Sequence, residues 1–231
     1  MVACLHDQSP LTAELRVLDV GCGNGRFLRF LAEQWHGPIE YFGVDLQVPS
    51  STAGKAIEPL PRVTAHWYAH DFVVESEPLP RALTGPFDLV GLFGVLHHVP
   101  SFALRRTLLE ALAQRLEPSG LMAVTLWQFA NQARFRNRLV PWSQSESVVG
   151  IRVSESQLEP GDLLLRWGAK DDVARYCHHV TPQEWACLTD ALGLRVVSAY
   201  SADGATGDLN LYRLMSPDVP SSFSHISIHE R

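Results

Sequence analysis

The stretch from Leu15 to Leu31 constrains this chain more than any other. It reads Leu-Arg-Val-Leu-Asp-Val-Gly-Cys-Gly-Asn-Gly-Arg-Phe-Leu-Arg-Phe-Leu. Leu15 to Val20 is a short apolar strand, Gly21, Gly23 and Gly25 make a turn, and the helix behind them has Phe27, Leu28, Phe30 and Leu31 for its buried side. A strand that feeds a glycine turn at a helix N-terminus gathers backbone N–H groups around a ligand. Glycine is required where the turn takes positive φ, and where a ligand approaches the backbone too closely for a Cβ.

Two carboxylates narrow the ligand. Asp19 sits just before the turn, where a phosphate would be repelled. Asp45 follows the next strand, Ile39 to Val44, twenty residues after Gly25, the place from which an acid grips a ribose diol. Together they disfavour a pyrophosphate and favour a cationic nucleoside. The run Asp19-Val20-Gly21-Cys22-Gly23-Asn24-Gly25 resembles the first motif of class I S-adenosylmethionine-dependent methyltransferases, an acid, any residue, then Gly-x-Gly-x-Gly.

Later segments continue the resemblance. Val63 to Tyr68 reads as a third strand followed by Asp71-Phe72, an acid and an apolar neighbour that in this family meet the adenine. The alternative for Asp71, read from the residues alone, is a cap on the next helix. Phe87 to Phe93 is a continuous apolar run, as in a central parallel strand buried on both faces. It leads into Gly94-Val95-Leu96-His97-His98, similar to the family's fourth-strand motif. Ser101 to Leu116 has leucine every fourth position and reads as a helix, with Arg105, Arg106 and Glu110 on other faces. Glu117-Pro118-Ser119-Gly120 ends it, and Leu121 to Trp127 is the fifth strand.

Alternating strands and helices imply a doubly wound, mainly parallel α/β sheet, and the resemblance implies seven strands ending in a hairpin with one antiparallel member. Such sheets bind ligands beyond the C-terminal strand ends, where Asp19, Asp45, Asp71 and the segment 93–97 all fall. The expected organisation is one methyltransferase domain over 1–215, with 128–173 as an inserted lid and 216–231 as a loosely held tail. Gln47 to Pro61 is expected as a loop with a short helix. Thr181 to Leu192 reads as a helix with Thr181 as N-cap, Pro182 first and Glu184 closing a capping box. Leu194 to Tyr200 and Leu209 to Leu214 are the expected final strands.

The resemblance implies S-adenosylmethionine as cofactor, bound by Asp19, Gly21, Cys22, Gly23, Gly25, Asp45, Leu46, Asp71, Phe72 and Phe93. A narrower likeness joins Leu139-Val140-Pro141-Trp142, Arg175-Tyr176-Cys177-His178 and Gly207-Asp208-Leu209-Asn210 to tRNA wobble-uridine carboxymethyl methyltransferases. It implies a tRNA acceptor, and a small protein activator of the kind that eukaryotic members of that group use. The alternatives are a small-molecule hydroxyl, amine or carboxylate acceptor, and a protein that binds the cofactor without catalysis. A carboxylate is already ionised at pH 7 and needs no general base; an arginine would hold it, and Arg175 is the candidate. A hydroxyl or amine would need a base such as His97, His98 or His178. The expected acceptor residues are therefore Arg175, His178 and His97.

At 231 residues and 46% hydrophobic the chain can bury a sizeable core, and its net charge of −6 gives no general nucleic-acid surface. Arg134, Arg136 and Arg138 alternate along the chain and read as a solvated surface. The four cysteines make no CxxC pair or zinc spacing, so no metal is expected and a reducing cytoplasm is the expected compartment. No run is long and apolar enough to span a bilayer.

Overall fold

The computed structural model describes residues 4–5, 12–48, 60–75, 77–168 and 173–218. Its elements are β1 (Leu15–Val20), α1 (Arg26–Gln34), β2 (Ile39–Asp45), β3 (Val63–Ala69), β4 (Phe87–Leu92), α2 (Phe102–Ala113), β5 (Leu116–Trp127), α3 (Ala133–Arg136), β6 (Leu139–Val140), α4 (Ser145–Val149), β7 (Asp162–Trp167), β8 (Val173–His178), α5 (Pro182–Thr189), β9 (Leu194–Ala202) and β10 (Asn210–Pro217). Seven strands form one sheet in the order β3-β2-β1-β4-β5-β10-β9. β1 to β5 run parallel, and β10 is antiparallel to both its neighbours.

Alternation along each strand seals both faces. Leu18, Val20, Phe42, Val44, Val90 and Leu92 face one side, where Leu108 and Leu112 of α2 join them. Leu15, Val17, Ile39, Tyr41 and Leu89 face the other, against Leu28 and Leu31 of α1. Both faces of the inner strands are thus hydrocarbon, the pattern of a parallel sheet covered by helices.

Several boundaries differ from the sequence reading. α2 stops at Ala113, and Leu116 already pairs with Phe87 as the start of β5. Arg115 O accepts from Phe87 N at 2.8 Å, so the segment with Pro118 is drawn into the sheet with a register shift between Phe87 and Leu89. α5 ends at Thr189, ahead of Gly193 with φ 63°. Thr181 caps α5 as expected, but Glu184 does not reach back; its carboxylate turns to Arg105 and His178. Ser216 belongs to β10 and is buried, so the tail expected from 216 begins later. Most of it, from 219 on, lies outside the described residues, as do 49–59 of the expected loop.

The expected lid is an organised unit: a second sheet, β6-β7-β8, fully antiparallel. Its third strand, Val173–His178, runs past the expected boundary at 173. A buried ionic network fastens this sheet to the main body. Arg105 of α2, expected on a polar face, is 1% exposed. It donates to Glu159 at 2.6 Å, to Glu184 at 2.9 Å and to Val99 O at 3.0 Å. His178 places Nδ1 2.6 Å from Asp162 and Nε2 2.8 Å from Glu184, and Tyr176 donates to Asp162 at 2.6 Å. His178 thus bridges the two carboxylates through its two ring nitrogens. Hydrogen bonds from His178 and its neighbours outweigh burial and hold Asp162 and Glu184 below the usual carboxylate range.

Arg105→Met would leave Glu159 and Glu184 short of a counter-charge in the interior. It should destabilise the fold by about 3–5 kcal/mol. Arg106→Met, next in the chain but paired with Glu110 on the surface, should lose less than about 1 kcal/mol. Urea denaturation of the two variants reads the difference directly.

Candidate functional site

The sheet changes winding direction between β1 and β4, and a ligand crevice opens where the chain leaves their C-terminal ends. Gly21 N and Cys22 N both donate to Val44 O, at 2.7 and 3.1 Å, which folds the glycine turn over the end of β2. Gly21 has φ 78°, and a Cβ there would lie 2.0 Å from Val95 Cγ2 on the chain leaving β4. Only glycine allows that approach. Gly23, at φ 52°, has open space where a Cβ would stand. On the β4 side, Gly94 N donates to Thr125 Oγ1 at 2.8 Å, tying that loop to β5 before the short turn Leu96–His98.

A cavity of about 1220 Å³ occupies the crevice. Asp19, Gly21, Cys22, Gly23, Phe27 and Phe93 line it on the side of the glycine turn. His97, His98, Trp127, Trp167 and Arg175 line it towards the added sheet, and Tyr200 and Tyr212 close it from the β9–β10 hairpin. Asp19 is buried and accepts a hydrogen bond from Tyr41 OH. Burial, with the nearby charge of Asp45, pushes the Asp19 carboxyl up to about 7 against the opposing pull of Tyr41.

The other end has a positive field. Arg175 stacks its guanidinium 3.5 Å from the Trp167 ring centroid, with Trp127 5.6 Å away. His97 packs 4.8 Å from Trp127 and 4.0 Å from His98. Burial first, then the charges of His98 and Arg175, lower His97 to about 2, so it stays neutral across the physiological range. Burial and Arg175 lower His98 as well, against a hydrogen bond to the Tyr176 carbonyl.

The crevice thus brings Asp19, Gly21, Cys22, Gly23, Phe93, His97 and Arg175 to one cavity. Gly25 supports it from behind as the left-handed N-cap of α1. Asp45 is not on the lining, but its Oδ2 accepts from Gly23 N at 2.9 Å at the cavity edge. Leu46 beside it is 62% exposed. Asp71 accepts from Val73 N and Val74 N, the turn-capping role, and Phe72 packs on His70. His178 is not on the lining; it belongs to the ionic network behind the wall. Glu159, Asp162 and His178 offer ligand atoms within 4.8 Å of one another, a grouping no sequence spacing signals, and Arg105, Tyr176 and Glu184 already engage them.

Sequence reading missed the aromatic lining. Trp127, Tyr200 and Tyr212 lie near strand ends, a place that could have flagged them, but Trp167 shows itself only once β7 and β8 pair. Phe27 and Phe30, expected under α1, instead line the cavity. Arg134 lies over Phe135, and Arg136 donates to Asn131 O, both on the surface as expected.

Comparison with known proteins agrees with this geometry. The methyltransferase domain family matches residues 3–199. A search of curated proteins found no match. Among solved structures, an S-adenosylmethionine-dependent methyltransferase of Methanosarcina mazei is similar at 16% identity and TM-score 0.61, over 92% of this chain and 96% of that one. A 1,6-didemethyltoxoflavin N1-methyltransferase of Burkholderia thailandensis, with that acceptor and S-adenosylhomocysteine bound, is similar at 21% identity and TM-score 0.56, over 94% and 76%. An amino pentose methyltransferase of Micromonospora echinaspora, with S-adenosylmethionine bound, is similar at 19% identity and TM-score 0.53, over 93% and 87%.

Asp19 generates a pH prediction. Its folded pKa of about 7 lies above the model-compound value of 3.8, so between the two the folded state holds the additional proton. Stability from this group is complete below pH 3.8 and is lost as pH rises through 7. Asp19→Asn cannot ionise, so its stability relative to the parent should rise from pH 5 to pH 8, by up to about 2.5 kcal/mol. Paired urea titrations at the two pH values measure it.

Proposed function

Because the chain belongs to the methyltransferase domain family, we propose that its cavity carries S-adenosylmethionine-dependent methyl transfer onto a small-molecule acceptor. It is an enzyme that uses S-adenosylmethionine. The carrying observation is that one cavity joins the glycine turn to a wall of Arg175, His97, His98 and two tryptophans. The residues fit the cofactor: the glycine turn leaves open space at Gly23, and Asp45 is fixed beside it through the Gly23 N–H. Asp19 and Asp45 are both acidic, which suits a cationic ligand and repels a phosphate.

We assign Asp45 to the ribose hydroxyls and the Gly21–Gly25 turn to the amino-acid moiety. Leu46 and Phe72 offer apolar cover for the adenine, with Asp71 at its edge. The bound cofactor supplies a methyl group on a sulfonium. That methyl would pass to an acceptor lone pair, with the carbon–sulfur electron pair leaving on sulfur. The protein's part is alignment and exclusion of water. His97 is too weak a base at about 2 to take a proton at neutral pH. An acceptor atom that carries no proton there, such as a carboxylate oxygen, needs no base, and Arg175 orients it.

The tRNA reading has one observation in its favour: of its three matching patches, two reach the cavity wall, through Arg175 and Asn210. His178, from the same patch, acts through the network behind it. A tRNA acceptor and a small protein activator are arms of the assay below. Among the described residues no helix is long and apolar enough to cross a membrane. The four free thiols fit a reducing, cytoplasmic setting.

Two measurements test the function. Asp45→Ala loses charge-assisted hydrogen bonds worth roughly 1.5–3 kcal/mol each. It should weaken S-adenosylhomocysteine binding at least about tenfold by calorimetry; unchanged affinity would sink the cofactor assignment. Labelled cofactor is then offered with small acids and with tRNA carrying carboxymethyluridine, with and without a candidate activator protein. Label should enter a small molecule, at a kcat/KM that is flat from about pH 6 to 9. Label in tRNA alone would select the other acceptor, and a rate rising through a histidine-like pKa would mean a proton-bearing nucleophile.

A further inference from the structure

We propose that the acceptor is a flat aromatic acid, with its ring on the tryptophan and tyrosine faces of the cavity and its anionic group on Arg175. This rests on the methyltransferase reading and names the substrate class of the same site.

The first observation is where the exposed aromatic surface lies. Phe30, Trp167 and Tyr200 are 41%, 43% and 41% exposed, and all three line the one cavity. Exposed apolar surface that converges on a concave site marks a ligand more than it marks a solvated face. These rings are fixed in place. Tyr200 stacks on Tyr212 at 4.8 Å with the planes 4° apart, and Trp127 is wedged against Phe129 at 4.5 Å and Phe135 at 5.0 Å. Flat, rigid walls favour a flat partner. They are not taken up by the adenine, since Asp45, Leu46, Asp71 and Phe72 lie off this lining.

The second observation is the charge. Arg16, Arg81, Arg105, Arg106 and Arg152 each have a carboxylate within 2.8 Å. Arg175 has no carboxylate partner among the described residues. Its field is felt instead by His97 and His98, both of which it lowers. Trp167 covers one face of the guanidinium at 3.5 Å, and Nε is buried with no hydrogen-bond partner. The guanidinium also bonds the Cys177 thiol, and its Nη end is a planar donor fork that matches a carboxylate lying in the same plane. Stacking on Trp167 would by itself only brace the β7–β8 hairpin. The lack of a carboxylate partner among the described residues and the open aromatic faces beside it are what a bracing role does not require.

The test uses protein saturated with S-adenosylhomocysteine, whose binding is measured first by calorimetry. The probes are 2-naphthoate, its neutral counterpart 2-naphthamide, and cyclohexanecarboxylate, which keeps the charge without the ring. Naphthoate should bind at least about tenfold more tightly than either comparator, the scale of one charge-assisted contact or one aromatic face. Arg175→Gln should abolish the preference for acid over amide, and Arg175→Lys, which keeps charge without the fork, should retain only part of it. Trp167→Leu should narrow the gap between naphthoate and cyclohexanecarboxylate. Equal binding of naphthoate and naphthamide, or a preference that survives Arg175→Gln, would overturn the proposal while leaving the cofactor reading intact. Failure of S-adenosylhomocysteine to bind would overturn that reading, and the proposal with it.

Discussion

The hydrocarbon sealing of the seven-stranded sheet on both faces governs where everything else can go. Leu18, Val20, Val90 and Leu92 on one side and Leu15, Val17 and Leu89 on the other fill the middle of the sheet with hydrocarbon, and Arg16, Glu40 and Asp88 meet at the N-terminal strand ends. Charged chemistry is confined to strand ends and to whatever the chain adds beyond them. Asp19 is the informative exception. It sits one residue inside β1, accepts a hydrogen bond from Tyr41, and burial raises its pKa so that it is only half ionised near neutrality. A cation arriving at the glycine turn would shift it towards the carboxylate, so the strand that carries the fold also carries part of the ligand specificity.

The added sheet solves a second problem. A cavity between β1 and β4 that opened straight to solvent could not exclude water from a methyl transfer. β6, β7 and β8 supply the missing wall, and the Arg105 network fixes it. That network reaches Val99 at the end of the turn bearing His97 and His98, and Tyr176 and His178 on the strand bearing Arg175. One set of buried charges therefore sets the distance between the two sides of the acceptor wall. Buried charges held by several hydrogen bonds have few alternative arrangements, which gives the wall its rigidity.

The two ends of the cavity are electrostatically opposite. Asp19 and Asp45 stand at the glycine turn, while Arg175 with two neutral histidines stands at the other end. A cationic donor and an anionic acceptor would each find its own end. No proton relay is needed between them.

Sequence alone determined the parts whose cause is local. The glycine turn is legible because positive φ and close packing admit few other residues there, and the inner parallel strands because burial on both faces leaves continuous apolar runs. Asp19, Asp45 and the histidine turn followed from being at strand ends. What the tertiary structure alone decided are relations between distant residues. Arg105 sits among polar neighbours on a helix and looks solvated, until Glu159 and Glu184, 54 and 79 residues away, close over it. His178 reads as an acceptor residue from its neighbours in the chain, but β8 turns alternate side chains to opposite faces. That puts Arg175 at the cavity wall and His178 between Asp162 and Glu184. Trp167 meets Arg175 only when β7 and β8 pair, and Trp127 only when the two sheets come together. Local periodicity encodes which residues are buried; it does not encode which distant groups they are buried against, because that depends on how the insertion docks.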